Sequence, residues 1–248
     1  LPTLFWVHGG AFLAGDKGGL KPFALQLVPE GYTVISLNYA LAPETHYPAA
    51  VVQVGEAYEY VRSHPAEFPT VDIDNLAFGG DSAGAQIASQ FVALQTNPAL
   101  AKEMQTQAVV PAGAIKATLL YCGPYQMDSF KNADSALARF FVQQVGWAYF
   151  GEKGWMEAEG ANQVSTYHYV TAAYPPSFIT DGNWGSFEGQ GKALVQKLEG
   201  LGVPVDSLFY PAEAGQVPHE YQFNYENYAD KAEECFAKTL AFLNTHMA

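Results

Sequence analysis

A serine stands between two glycines in Gly80-Asp81-Ser82-Ala83-Gly84, where an apolar run over 75–79 gives way to a helical pattern from Ala85 onward. A strand that turns sharply into a helix holds such a hydroxyl clear of its neighbours, and the glycines permit both the turn and close packing around it. G-x-S-x-G alone is common by chance; the strand before it and the helix after it give it weight here. Ser82 is therefore a candidate nucleophile, and Asp81 a hydrogen-bonding turn residue.

A second segment, Phe5-Trp6-Val7-His8-Gly9-Gly10-Ala11-Phe12, follows another apolar run with two glycines whose N–H groups can approach a ligand with no side chain between. Gly9 and Gly10, with the N–H of Ala83 at the start of the elbow helix, would form an oxyanion hole for the charge of a tetrahedral intermediate. His8 reads as a structural hydrogen-bonding residue and not as the general base.

These residues need a scaffold, and the rest of the chain supplies its pattern. Short apolar runs at 3–7, 33–38, 75–79, 115–121, 177–180 and 205–210 read as strands buried on both faces. Between them, 49–63, 83–95, 187–201 and 228–243 repeat apolar residues at helical spacing. The alternation predicts an α/β fold with a mostly parallel central sheet and helices on both faces, and residues 1–248 are expected to form a single domain. One stretch, 124–175, lacks strand character and is rich in aromatics, among them Phe140, Phe141, Trp147, Tyr149, Phe150 and Trp155. It is long for a plain connection and is expected to form helices over one end of the sheet, as extra core or as a lid or pocket wall.

Composition narrows the function. Of 248 residues, 49% are hydrophobic and 15% charged, enough to bury a sizeable core and unlike a disordered chain. Twelve Lys and Arg against 25 Asp and Glu leave a formal charge of -13, a field that opposes nucleic acid and anionic membrane surfaces as partners. No apolar run approaches the roughly 18 residues of a spanning helix. Cys122 and Cys235 lie far apart, without the spacing of a disulfide framework or a zinc site, which leans toward a cytoplasmic location.

Three motifs in one order resemble the hormone-sensitive-lipase-like branch of the α/β-hydrolase esterases, a group similar to acetyl esterases and feruloyl-esterase domains. His8-Gly9-Gly10-Ala11-Phe12 resembles its HGG motif and Gly80-Asp81-Ser82-Ala83-Gly84 its GDSAG elbow. The stretch from Tyr39 to Ala50 resembles its Y-R-L-A-P-E-H-x-F-P-A-A segment, with Ala40 in place of the usual Arg and Thr45 before His46. The resemblance implies an α/β-hydrolase fold with a helical insertion after the sixth family strand. It also implies two strands ahead of the HGG strand that are absent here, so the sheet is expected to be shorter at that edge or the chain to be part of a longer one.

The resemblance further implies the remaining catalytic groups. Its histidine falls in the loop after the last strand, at His219, as the general base; His46, His64, His168 and His246 fit that place less well. Its acid should follow the next-to-last strand, but Gly185 stands where the carboxylate aligns. Asp181, at the strand end, is the first candidate; Asp128 after the preceding strand and Glu188 past the usual position are the others, and a Ser-His dyad without an acid stays open. The implied activity is hydrolysis of short-chain carboxylic esters through an acyl-enzyme, with no metal and no organic cofactor, on a small-molecule substrate; a homodimer is also to be expected. An arylformamidase-like amide hydrolase and a non-catalytic small-ligand binder remain as alternatives.

Overall fold

The computed structural model describes residues 1–132, 136–158 and 160–247. Residues 133–135 and 159 of the insertion at 124–175 lie outside the described residues.

Six strands form one sheet: β1 (Thr3–Val7), β2 (Thr33–Leu37), β3 (Leu76–Asp81), β4 (Ile115–Tyr121), β5 (Ser177–Asp181) and β6 (Val205–Phe209). They lie in the order β2-β1-β3-β4-β5-β6 and every neighbouring pair is parallel. Parallel neighbours need crossovers. The helices are α1 (Lys21–Leu27), α2 (Ala49–Ser63), α3 (Ala83–Thr96), α4 (Pro98–Glu103), α5 (Ala136–Phe150), α6 (Glu188–Gly200) and α7 (Tyr225–Met247). The elbow strand runs further than its apolar pattern predicts: Gly80 pairs with Val7 and Asp81 with Tyr121, so pairing carries it to the residue before Ser82.

The period of two along β1 distributes its side chains between two cores. Leu4 and Trp6 pack with Phe23 and Leu27 of α1 and Phe242 and Leu243 of α7. Phe5 and Val7 pack on the other face with Val54 of α2, Phe91 of α3 and Leu194 of α6. All five β1 residues are buried, which is why the segment reads as continuous apolar sequence. Trp6 also donates its indole N–H to Asp81 at 2.8 Å, tying β1 to the end of β3. Truncating Trp6 to Ala would cost about 3–5 kcal/mol by cavity formation.

The chain places β2 on one side of β1 and β3 on the other, so its direction of travel across the sheet reverses there. In open parallel sheets the crevice at the carboxyl ends of such strands is where ligands bind. The His8-Gly9-Gly10 loop leaves β1 there, and Ser82 leaves β3 beside it.

The insertion packs on the loops that follow β1 and β2. Tyr149 of α5 stacks on Phe12 with centroids 3.9 Å apart, and its carbonyl accepts the Tyr47 N–H at 2.8 Å. Trp155 stacks on Phe150 and lies against Gly146, where a Cβ would meet its ring at 2.1 Å. No helix among the described residues is long and apolar enough to cross a membrane.

Candidate active site

Ser82 has φ 51° and ψ -120°, a conformation rare outside glycine. Its surroundings hold it there. Its N–H donates to the Tyr121 carbonyl at 2.8 Å, and its carbonyl accepts from Ala85 at 3.1 Å and Gln86 at 3.2 Å. The two motif glycines are required by contact: a Cβ on Gly84 would lie 2.0 Å from the Val7 carbonyl oxygen, and one on Gly80 would lie 2.4 Å from the Gly84 carbonyl. The turn and the end of β1 are therefore in backbone contact.

His219, in the loop between β6 and α7, places Nε2 3.0 Å from Ser82 Oγ. Phe187 meets its ring edge-on, with centroids 5.5 Å apart. Burial disfavours the imidazolium and pushes its pKa down to about 4, so the ring is neutral at pH 7, as a base must be before it acts.

The other ring nitrogen does not face a carboxylate. His219 Nδ1 lies 2.5 Å from Ser186 Oγ, and the Ser186 hydroxyl bonds in turn to Asp181 Oδ1. Asp181 Oδ1 also accepts the Gly182 N–H at 2.7 Å, and Oδ2 accepts the Phe187 N–H at 3.0 Å. Burial raises the Asp181 pKa to about 6 against the opposing effect of these hydrogen bonds and of the Cys122 thiol. Residue type alone does not point to Ser186. The signal was nonetheless present, because a hydroxyl follows Gly185, the position where the expected carboxylate aligned.

The other two acid candidates are held elsewhere. Asp128 accepts from Ser165 at 2.8 Å and sits 3.0 Å from His168 Nε2. Burial opposes its ionisation, but the hydrogen bonds from His168 and Ser165 outweigh it, and its pKa is lowered. Glu188, in the first turn of α6, pairs with Lys192 one turn on at 2.7 Å. Both carboxylates are committed to local partners. His8 donates from Nδ1 to the Gly9 carbonyl at 2.7 Å and stacks on Tyr39, the structural role its sequence context predicts.

The expected oxyanion donors divide. Gly10 and Ala83 line the cavity over Ser82, and the Ala83 N–H is one of the free donors at the start of α3. Gly9 departs from expectation: its N–H donates to Asp81 Oδ2 at 2.9 Å, because the elbow carboxylate lies directly under the loop. Ala11, at φ 54°, lines the cavity next to Gly10. Asp81 in turn hydrogen-bonds to Glu220, whose Oε1 lies 3.8 Å from His219 Nε2. Burial and the charge of Asp81 push Glu220 up to about 7, so the two carboxyls share a proton near neutrality.

A cavity of about 400 Å³ opens over Ser82 and His219. The insertion supplies Met127, Phe130, Phe141, Val142 and Val145 to its wall, and Phe12 and Phe187 complete an apolar lining. Donor atoms of Cys122, Asp181 and His219 fall within 4.8 Å of one another, but burial pushes the Cys122 thiol well up and disfavours the thiolate a metal would need.

Residues 4–222 match a family model described as alpha/beta hydrolase fold, and the chain belongs to that family. Its motifs put it in the hormone-sensitive-lipase-like branch. Among curated proteins it is similar to an acetyl esterase of Salmonella paratyphi B, 26% identical over 224 residues covering 84% of this chain and 63% of the relative. It is also similar to the esterase LipQ of Mycobacterium tuberculosis, 28% identical over 183 residues covering 73% of this chain and 41% of that protein. The chain thus spans less than two thirds of the length of these relatives. Among solved structures, esterase B of Lactobacillus rhamnosis superposes with a TM-score of 0.81 over 98% of this chain and 76% of the other, at 20% identity, a likeness of fold.

Proposed function

We propose that this chain is a serine hydrolase that cleaves short-chain carboxylic esters through an acyl-enzyme. The observation that carries the reading is the 3.0 Å approach of His219 Nε2 to Ser82 Oγ at the floor of an apolar cavity. The acetyl esterase and LipQ relatives support it. Ser82 attacks the ester carbonyl while His219 takes its proton and returns it to the leaving alkoxide; water, activated by the same imidazole, then releases the acid. Asp181 is the acid of this constellation, and the N–H groups of Gly10, Ala11 and Ala83 receive the oxyanion. Ala11 takes the place given to Gly9 by the sequence. The 400 Å³ apolar cavity suits an uncharged acyl chain of a few carbons, and its lining among the described residues offers no cation to a carboxylate. We infer a cytoplasmic location from the two free, buried thiols, and a homodimer from the resemblance; light scattering tests the latter.

The deciding experiment is steady-state hydrolysis of p-nitrophenyl acetate by the wild type beside Ser82→Ala, with circular dichroism of both. Turnover by the wild type and a loss of about 10⁶ in kcat in the variant are expected, by analogy with removal of a serine-protease nucleophile. Equal rates from two folded proteins would overturn the reading.

A further inference from the structure

The serine-hydrolase reading assigns roles to Ser82, His219 and Asp181 but leaves Ser186 standing between the last two. Resting on that reading, we propose that Ser186 is a positioning residue that carries the influence of Asp181 to His219, so that the site works as a four-member chain, Ser82–His219–Ser186–Asp181.

The hydrogen-bond inventory forces the direction of this chain. An ionised carboxylate only accepts, with about two lone pairs on each oxygen. On Asp181, Oδ1 already receives Gly182 N–H and Ser186 Oγ, and Oδ2 receives Phe187 N–H with the Cys122 thiol beside it. Among the described residues no hydrogen bond joins Asp181 to the imidazole, and Ser186 is the link between them. Ser186 has a single hydroxyl proton; donating it to Asp181 leaves only lone pairs toward His219 Nδ1, so Nδ1 must carry its hydrogen and donate at 2.5 Å. The remaining nitrogen, Nε2, is then unprotonated and faces Ser82 Oγ at 3.0 Å. The buried acid thereby selects the one tautomer of His219 that can act as a base, without touching the ring.

During the reaction a single proton moves. It passes from Ser82 Oγ to His219 Nε2 as the bond from Oγ to the acyl carbon forms, and from Nε2 to the leaving oxygen as the ester C–O bond breaks. The Nδ1 hydrogen and the Ser186 hydroxyl hydrogen stay in place, and the Asp181 charge stabilises the transient imidazolium through the polarised hydroxyl. The groups that set the ionisation of this chain are Asp181, the Cys122 thiol at the end of β4, and Glu220 on the Nε2 side of the ring.

The test compares Ser186→Ala and Ser186→Thr with the wild type on p-nitrophenyl acetate over pH 5 to 9, with Ser82→Ala as the reference for the whole site. Ser186→Ala should lower kcat by about 10²- to 10³-fold with KM nearly unchanged, because tautomer selection is lost while the cavity stays intact. Ser186→Thr, which keeps the hydroxyl, should recover most of that loss, and the acid limb of the wild-type profile, set by Asp181, should shift or vanish in Ser186→Ala only. The rate of Ser82 phosphorylation by diethyl p-nitrophenyl phosphate, read on protein checked by circular dichroism, repeats the comparison without turnover. If Ser186→Ala keeps the wild-type kcat and pH profile while Ser82→Ala is inert, the relay is wrong and the hydrolase reading survives. If Ser82→Ala is as active as the wild type, the hydrolase reading itself falls.

Discussion

Two carboxylates close two strands of the same sheet, Asp81, half-buried at the end of β3, and Asp181, buried at the end of β5, and they are put to different uses. Both have pKa values raised by burial, and both are held by hydrogen bonds. Asp81 ties the scaffold together: it accepts from the Trp6 indole and the Gly9 N–H and shares a proton with Glu220. Asp181 is fastened by its own turn, through Gly182 and Phe187, and turns its remaining capacity to the Ser186 hydroxyl under His219. Burial and a shifted pKa alone therefore do not mark a catalytic acid. The donors around a carboxylate decide whether its charge is spent on the fold or directed at the imidazole.

The sharpest way to break this contrast is to remove each charge in turn. Asp181→Asn should lower kcat by about 10³- to 10⁴-fold with little change in KM, because an amide leaves the orientation of the Ser186 hydroxyl, and so the His219 tautomer, undetermined. Asp81→Asn keeps an acceptor oxygen and should cost kcat about 10-fold or less, through the oxyanion loop. Asp81→Ala leaves the Trp6 and Gly9 donors without a partner and should lower stability by roughly 2–4 kcal/mol, read by urea unfolding. Equal kcat losses from the two Asn variants would erase the distinction.

The pH dependence sharpens it further. Catalysis needs His219 neutral, which holds above about 4, and Asp181 ionised, which holds above about 6. The rate should therefore fall about 10-fold per pH unit below 6, with Asp181 the limiting group. Asp81→Asn should leave that limb in place; Asp181→Asn should abolish it. Stopped assays of kcat/KM from pH 4.5 to 8 measure both.

A smaller effect is expected at the cavity wall, where the insertion and not the strand ends sets the outcome. Val145 is buried and lines the cavity, so Val145→Phe would fill part of its 400 Å³. The kcat/KM for p-nitrophenyl butyrate should fall up to about 10-fold relative to acetate, since a methylene or two in an apolar pocket is worth about 1–3 kcal/mol. Unchanged selectivity would place the acyl chain elsewhere.

How much of this was legible in the sequence follows the same division between strand ends and what covers them. The strand-borne parts were readable: the elbow around Ser82, the six apolar runs and their parallel order all reflect local pattern, since strands buried on both faces have little freedom in composition. The terminal loops were readable only in part. Gly9 has the right residue type for an oxyanion donor, but its N–H is taken by a carboxylate 72 residues later in the chain, a contact no local pattern encodes. Ser186 carries no signature of an acid in its residue type. A serine is an ordinary loop residue, and only the crossing of the loop after β5 with the loop bearing His219 makes it special. The insertion's aromatics announced a packed cover, but which of them line the cavity depends on how α5 rests on Phe12 and Tyr47.

The least effect, and the cleanest test of the scaffold half of the comparison, belongs to Glu220. Its folded-state pKa of about 7 lies above its ordinary 4.5, raised by burial and by the Asp81 charge. A carboxyl raised in this way favours the fold when protonated, so its contribution is fully present below about 4.5 and is lost as pH rises through 7. Glu220→Gln replaces the shared proton with an amide that donates to Asp81 at every pH. Its Tm should therefore match the wild type at pH 5 and exceed it at pH 8 by about 2–4 °C, the shift that about 1 kcal/mol produces in a chain of this size. The slope should shrink without vanishing, because Asp181, raised to about 6, adds a dependence of the same sign that this substitution leaves in place. A variant whose Tm falls between pH 5 and pH 8 as steeply as the wild type would mean that Asp81 and Glu220 do not share a proton, and that Asp81 holds Gly9 and Trp6 as a lone carboxylate.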